Sequence, residues 1–167
     1  VANTFVLISS VTVGAGGASS IDFTSIPATY TDLCLVLSGR GSNSAASTGI
    51  KLKLNNVSTN FTNREIYADG STVGSYTGTD GAGYVNAATG TASTFNNWQI
   101  YIPNYAGSTN KSYSIDYVRE NNTTANDMGM YAGLWSNTST INQITVTINA
   151  GTFVQYSTAY LYGIKNS

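Results

Sequence analysis

The chain has no histidine at all. Triads that need an imidazole base, and metal sites built on imidazole, are closed to it. It has one cysteine, Cys34, so no disulfide can form within the chain. Cys34 sits inside the apolar run LCLVL, where a small buried hydrophobe is expected. A reactive thiol would need an electropositive, accessible setting. Only 9% of the residues are charged, against about a quarter in ordinary domains. The net charge is −1, so there is no cationic surplus to displace counterions, and nucleic acid is not an expected partner. No apolar run is long enough to cross a bilayer, so no membrane partner is expected either. The start, VANTFVLISS, lacks the basic residues and long apolar segment of a secretory signal, which predicts synthesis in a cytoplasm. No segment carries helical periodicity.

What the chain does hold is strand former and turn former in alternation. Hydrophobic residues make up 41%, enough to weigh against disorder. At 167 residues the sequence suits a single domain, 1–167, with a substantial core. In INQITVTIN, Ile144, Val146 and Ile148 share one face and Gln143, Thr145 and Thr147 the other. That period of two belongs to a strand with one dry side. The final AYLYGI alternates too, with Tyr160, Tyr162 and Ile164 on the face read as apolar. NWQIYI puts Trp98, Ile100 and Ile102 inward, and KSYSIDYVR puts Tyr113, Ile115 and Tyr117 on one face. IKLKL turns Lys51 and Lys53 to water. LCLVL is apolar on both sides, as a strand central to a sheet would be. TFVLISSVTV and SIDFTSI are further strand candidates, the second stopped by Pro27. Phe61 to Tyr67 reads as a strand or as irregular chain. Residues 39–49 read as an exposed loop. The glycine-rich stretch 69–94 reads as a long loop region with at most one strand, near Gly83 to Ala87. Roughly nine to eleven short strands spaced by turn signals predict an all-β fold. Such spacing argues a sandwich or a barrel; a jelly-roll-like antiparallel β-sandwich is the form expected, since Greek-key and jelly-roll arrangements are the commonest way to join so many antiparallel strands.

Chemistry is hard to find. A glycosidase needs two carboxylates facing each other across a cleft. The acids Asp22, Asp32, Glu65, Asp69, Asp80, Asp116, Glu120 and Asp127 show no paired spacing, and Asp116 falls on an outward face. Gly14-Ala15-Gly16-Gly17 follows a strand, but SIDF comes next where a phosphate loop needs a helix start, so a hairpin is the better reading. No catalytic residue, metal ligand or cofactor is expected. Among the aromatics, Trp98, Tyr113 and Tyr117 belong to core faces. Tyr67, Tyr76, Tyr84 and Tyr105 lie in or near loops, where contact with a partner is the natural use.

Two segments carry a resemblance. IDFTSIPATYTDLCLVLSGRG near the start holds the run Phe23 to Leu33 and a small-residue loop from Arg40 to Ser42. AGLWSNTSTINQITVTINAGTFVQYSTAYLYGIK at the end holds Trp135 to Thr145 and a terminal Leu-Tyr-Gly-Ile-Lys from Leu161 to Lys165. In that order they resemble capsid cement, or decoration, proteins of tailed phages of the cyanophage type. The match covers both ends, well under half of the chain.

The resemblance implies a structural virion protein with no enzymatic activity. It implies a homotrimer on the outer capsid surface that stabilises the head by binding major capsid protein subunits. The expected contact residues are Asn3, Thr4 and Phe5 in the first strand, Arg40 in the loop after Gly39, and the loop tyrosines Tyr76, Tyr84 and Tyr105. The alternative is a tail- or head-fibre domain whose Tyr- and Asn-rich loops bind a host glycan. A polysaccharide-degrading enzyme is a third reading, weakened by the unpaired acids.

Overall fold

The structure, a computed structural model, describes residues 4–79, 81–122 and 126–165. The described residues form β1 (Phe5–Thr12), β2 (Ser20–Phe23), β3 (Asp32–Gly39), β4 (Ser47–Leu54), β5 (Phe61–Ala68) and β6 (Val73–Gly78). The second half adds β7 (Gly81–Asn86), β8 (Asn96–Ile102), β9 (Lys111–Arg119), β10 (Asp127–Trp135), β11 (Ile144–Ile148) and β12 (Thr158–Ile164). No helix occurs among the described residues, so none is long and apolar enough to cross a membrane.

One sheet has eight strands in the order β1, β12, β3, β8, β9, β10, β5, β6; the other has four, β2, β11, β4, β7. The paired strands are antiparallel. Set aside the two pairs β5–β6 and β9–β10. What remains is β1, β12, β3, β8 over β2, β11, β4, β7, with early strands pairing late ones from the outside in. That wrapping is a jelly roll, and the fold is an antiparallel β-sandwich. The inserted pairs extend the larger sheet beyond the jelly-roll core.

The alternation in the sequence decides which side of each strand is dry. Leu33, Leu35 and Leu37 of β3 meet Trp98, Ile100 and Ile102 of β8, all fully buried. Ile50, Leu52 and Leu54 of β4 and Ile144 and Val146 of β11 face them from the smaller sheet. Each such side chain contributes about 1.5–3 kcal/mol by leaving water. Cys34 is buried on the other side of β3, flanked by Tyr162 and Tyr101 in the neighbouring strands, and burial pushes its thiol pKa up. A thiol so placed is held in its inert form.

Three expectations need correction. The face of β12 that seals the core is Ala159, Leu161 and Gly163; Tyr160 is exposed and Tyr162 half-buried. A tyrosine counts as apolar in an alternation, but a ring with a polar tip is content at a wet surface. The region 69–94 holds two strands, β6 and β7, where at most one was expected. Their glycines hide the alternation, because a residue without a side chain carries no pattern. Residues 39–49 are not all loop either: β4 begins at Ser47.

Glycine has a packing role on β10. The inward positions of DMGMYAGLW alternate small and large: Gly129, Tyr131, Gly133, Trp135. In the register, Tyr113 of β9 lies beside Gly133 and Tyr117 beside Gly129. Both rings lie across the glycine next to them. A Cβ at Gly133 would run into the Tyr113 ring, and one at Gly129 into that of Tyr117. Gly133→Ala should therefore cost about 1–3 kcal/mol by overpacking. Gly14→Ala, whose added methyl meets nothing within 4 Å, should be close to neutral. Urea unfolding of the two variants checks this, and equal stabilities would show that the rings are free to move aside.

Candidate functional site

The larger sheet is wider than the smaller one by its extra strands. The smaller sheet ends at β7, which lies against β9. Beyond that line no sheet of the described residues lies over the inner face of β9, β10, β5 and β6. The result is an open cleft of about 510 Å³, walled on one side by β4 and β7 and floored by the overhang. Its size lies within the ordinary range for ligand sites, about 300–1,000 Å³.

The floor is built by strand parity. Glu65 and Tyr67 point inward from β5, and Tyr76 of β6 stands opposite Glu65 in the register. Tyr131 of β10 is the other neighbour of Glu65. Tyr117 and Arg119 come from β9, and Asp127, opposite Arg119, opens β10. Lys51 of β4 and Tyr84 of β7 form the wall.

A polar network fixes this floor. The Tyr117 hydroxyl donates to Glu65 Oε1 at 2.8 Å and lies 3.3 Å from Asp127 Oδ2. Tyr131 also hydrogen-bonds Glu65. Arg119 Nε donates to Asp127 Oδ1 at 2.6 Å, a charge-assisted contact with both side chains largely shielded from water. Arg119 Nη1 is buried and has no partner among the described residues. Burial, with the carboxylates of Asp127 and Glu65 beside it, holds the Tyr117 pKa far above the usual phenol range. Burial and the bond to Glu65 do the same for Tyr131. Both phenols are therefore donors locked in their neutral form. Two carboxylates do share this cleft, a pairing that sequence spacing did not reveal. Both lie within reach of one phenol, Tyr117, which stands between them.

The contact residues expected from the sequence divide sharply. Thr4 is exposed and Phe5 is 54% exposed, its ring edge-on to Tyr162 with centroids 6.2 Å apart. Tyr76 and Tyr84 are exposed at the cleft. Asn3 lies outside the described residues. Arg40 and Tyr105, expected at the surface, are instead buried within the chain. Arg40 is buried and its guanidinium binds four backbone carbonyls: Thr91 at 2.7 Å, Thr94 at 3.0 Å, Ala87 at 2.8 Å and Gly90 at 3.0 Å. Five fixed donors suit that clasp, since guanidinium matches several acceptors at once. Tyr105 is fully buried, its hydroxyl donating to the Pro27 carbonyl and accepting from the Tyr30 amide at 3.4 Å.

Sequence reading missed Glu65, Arg119, Asp127, Tyr117 and Tyr131 as a group. One signal was available. FTNREIY taken as a strand puts Phe61, Asn63 and Glu65 on one side, and a carboxylate sharing the face of a buried Phe needs partners. Left as strand or irregular chain, the segment had no face to assign.

No protein-family model and no curated protein matches the sequence. Among solved structures, the chain is similar to the crystal structure of Caenorhabditis elegans galectin LEC-6, at 9% identity and a TM-score of 0.38, covering 91% of this chain and 94% of that one. The sandwich described above rests on the strand pairing itself.

Two tests follow from these contacts. Arg40→Ala frees four carbonyls and should destabilise the fold by about 2–3 kcal/mol, read by thermal unfolding, while Thr4→Ala should be near neutral. The second concerns alkali. Burial pushes the Tyr113 pKa up to about 12 from 10.0. Its folded form keeps a proton that the unfolded chain gives up, so stability falls as pH rises through that window. Tyr117 and Tyr131 act in the same direction. The part of the tyrosinate absorbance that belongs to the buried rings should appear only with loss of structure, and Tyr113→Phe should flatten the fall in stability. Ionisation of every tyrosine in the intact fold near the ordinary pKa would contradict the burial assigned here.

Proposed function

We propose that the chain is a structural virion protein, a capsid cement protein that binds major capsid protein subunits on the outer surface of a phage head as a homotrimer. The observation that supports this reading most is the outer face of the overhanging strands. Strand parity sends Ile66, Val118, Met128, Met130 and Leu134 outward, and all are exposed. Met130 stands opposite Ile66, and Met128 opposite Val118, so the residues are continuous across β9, β10 and β5. Val73 of β6 extends the strip and is 77% exposed. A shallow groove among Arg64, Ile66, Tyr101, Pro103, Met130 and Ala132 runs over the same face.

Single exposed hydrophobes are ordinary, but a contiguous strip of this kind marks a surface that another protein covers. Methionine suits it, since a flexible thioether adapts to an uneven partner. The fold supports the same reading. A jelly roll closed by a dense core is a stiff body, and stiff bodies lose little freedom when they bind. Contact of this kind stabilises a shell by mass action, because only the assembled lattice presents the sites. Weak contacts from the members of a trimer add through effective concentration. The few charges leave such contacts with little dependence on salt.

The rival is a tail- or head-fibre domain that binds a host glycan, and location with copy number separates the two. For the cement reading, particles lacking the protein should break at lower temperature than complete ones. Ile66→Asp with Met130→Asp should cut occupancy on the shell by about tenfold or more while the domain still folds. Shells equally stable without the protein would end this reading, as would a copy number confined to the tail.

A further inference from the structure

The cleft beside the smaller sheet lies on the opposite face of the overhang from the apolar strip, and nothing in the capsid role calls for it. We infer that it binds a neutral glycan, through hydroxyl recognition at Arg119, Glu65 and Asp127 and ring contact at Tyr76 and Tyr84. A cement protein can carry such a site as readily as a fibre domain, so the inference stands apart from where on the particle the protein sits.

The cleft is poorly built for several kinds of ligand. Its charges balance: Lys51 and Arg119 against Glu65 and Asp127. A phosphate or nucleotide would bring its charge up to two carboxylates, so the cleft disfavours a strong anion. Among the described residues no group of three His, Cys, Asp or Glu side chains is placed to hold a metal. The lining is too polar for a purely apolar guest, whose entry would strand Arg119, Glu65 and Asp127 without water.

What remains fits a polyol. Arg119 is nine-tenths buried and lines the cleft, and its Nη1 lacks an acceptor among the described residues. A buried donor left in that state is costly, and a ligand oxygen that reached it would relieve the cost. Nearby, the carboxylates of Glu65 and Asp127 are fixed by Tyr117, Tyr131 and Arg119 Nε. Each keeps spare acceptor capacity, since an ionised carboxylate takes about four hydrogen bonds. A sugar hydroxyl both donates and accepts, so one saccharide can serve the guanidinium and the carboxylates together. Tyr76 is 59% exposed and Tyr84 44%, each at the rim of the cleft. A tyrosine ring offers the C–H face of a sugar broad apolar area, with a hydroxyl at its edge and few rotors to freeze. The floor is organised before any ligand arrives, which lowers the cost of binding.

The test uses the whole chain and defined sugars. Neutral oligosaccharides of hexose and N-acetylhexosamine, and oligouronates of equal length, are titrated while ligand-induced changes in the tyrosine NMR signals are followed. At least one neutral oligosaccharide should bind with shifts confined to cleft residues. Tyr76→Ala with Tyr84→Ala, both on the surface, should weaken it by about tenfold without lowering the melting temperature. Arg119→Gln should abolish binding, but it also removes the contact to Asp127, so the tyrosine pair is the deciding variant. Three results overturn the inference: no neutral sugar binds up to about 10 mM, a range that already admits very weak sites; binding is indifferent to Tyr76 and Tyr84; or oligouronates bind more tightly than neutral chains. Shell occupancy of the Tyr76 and Tyr84 variant, measured in parallel, reports on the capsid role separately, because that role rests on the opposite face of the overhang.

Discussion

The constraint on which this molecule depends is a mismatch between two layers. Eight strands lie over four. A sandwich of equal sheets would bury every inward face and leave only rims for function. Here the strands of β5–β6 and β9–β10 run past the edge of the smaller sheet. Their inner face is half inside, against β7, and half in the open. The same four strands supply both the polar cleft and the apolar outer strip, so the two surfaces are opposite sides of one sheet. Period-two alternation then assigns each residue to one or the other. Met128, Met130 and Leu134 go out; Asp127, Tyr131 and Trp135 go in.

Holding such an overhang flat and firm takes more than backbone pairing. Part of the answer is aromatic. Phe61 stacks on Trp135 with ring centroids 6.0 Å apart and meets Tyr113 edge-on at 6.2 Å, while Tyr117 leans on Tyr131 at 6.1 Å. Glycines on β10 let these rings lie down across the sheet. The rest is polar: Glu65 and Asp127 are drawn under the aromatic layer by tyrosine hydroxyls and by Arg119. Charge is scarce in this chain, and several of the ionic groups it has are buried as structural ties. Lys111 is one more, fully buried with its ammonium on the Gly107 and Thr109 carbonyls. Burial lowers its pKa.

This use of charge explains where surface expectations failed. Arg40 sits among small polar residues, and a cation in such a segment reads as solvent-facing. Only the fold brings residues 87–94 round to it, some fifty positions away in sequence. Tyr105 follows a proline-ended strand in a polar loop, yet it closes the end of the sandwich against Pro27. Glu65 and Asp127 lie sixty-two residues apart on strands that become neighbours through an inserted pair. No local spacing encodes a contact of that range.

The amino-acid sequence by itself determined the class of fold, the dry faces of β3, β8, β9 and β11, the inward Trp98 and the buried Cys34. Each of these follows from alternation within a few residues, and alternation is a local property that one strand carries alone. Tertiary structure alone decided the strand order, the overhang, the cleft beneath it and the fate of Arg40 and Tyr105. Those depend on which strands become neighbours, and backbone hydrogen bonds are nearly the same for every pairing. The choice among pairings is made by the fit of whole faces, Tyr113 over Gly133 or Leu35 against Ile100, and that fit exists only once distant segments have met.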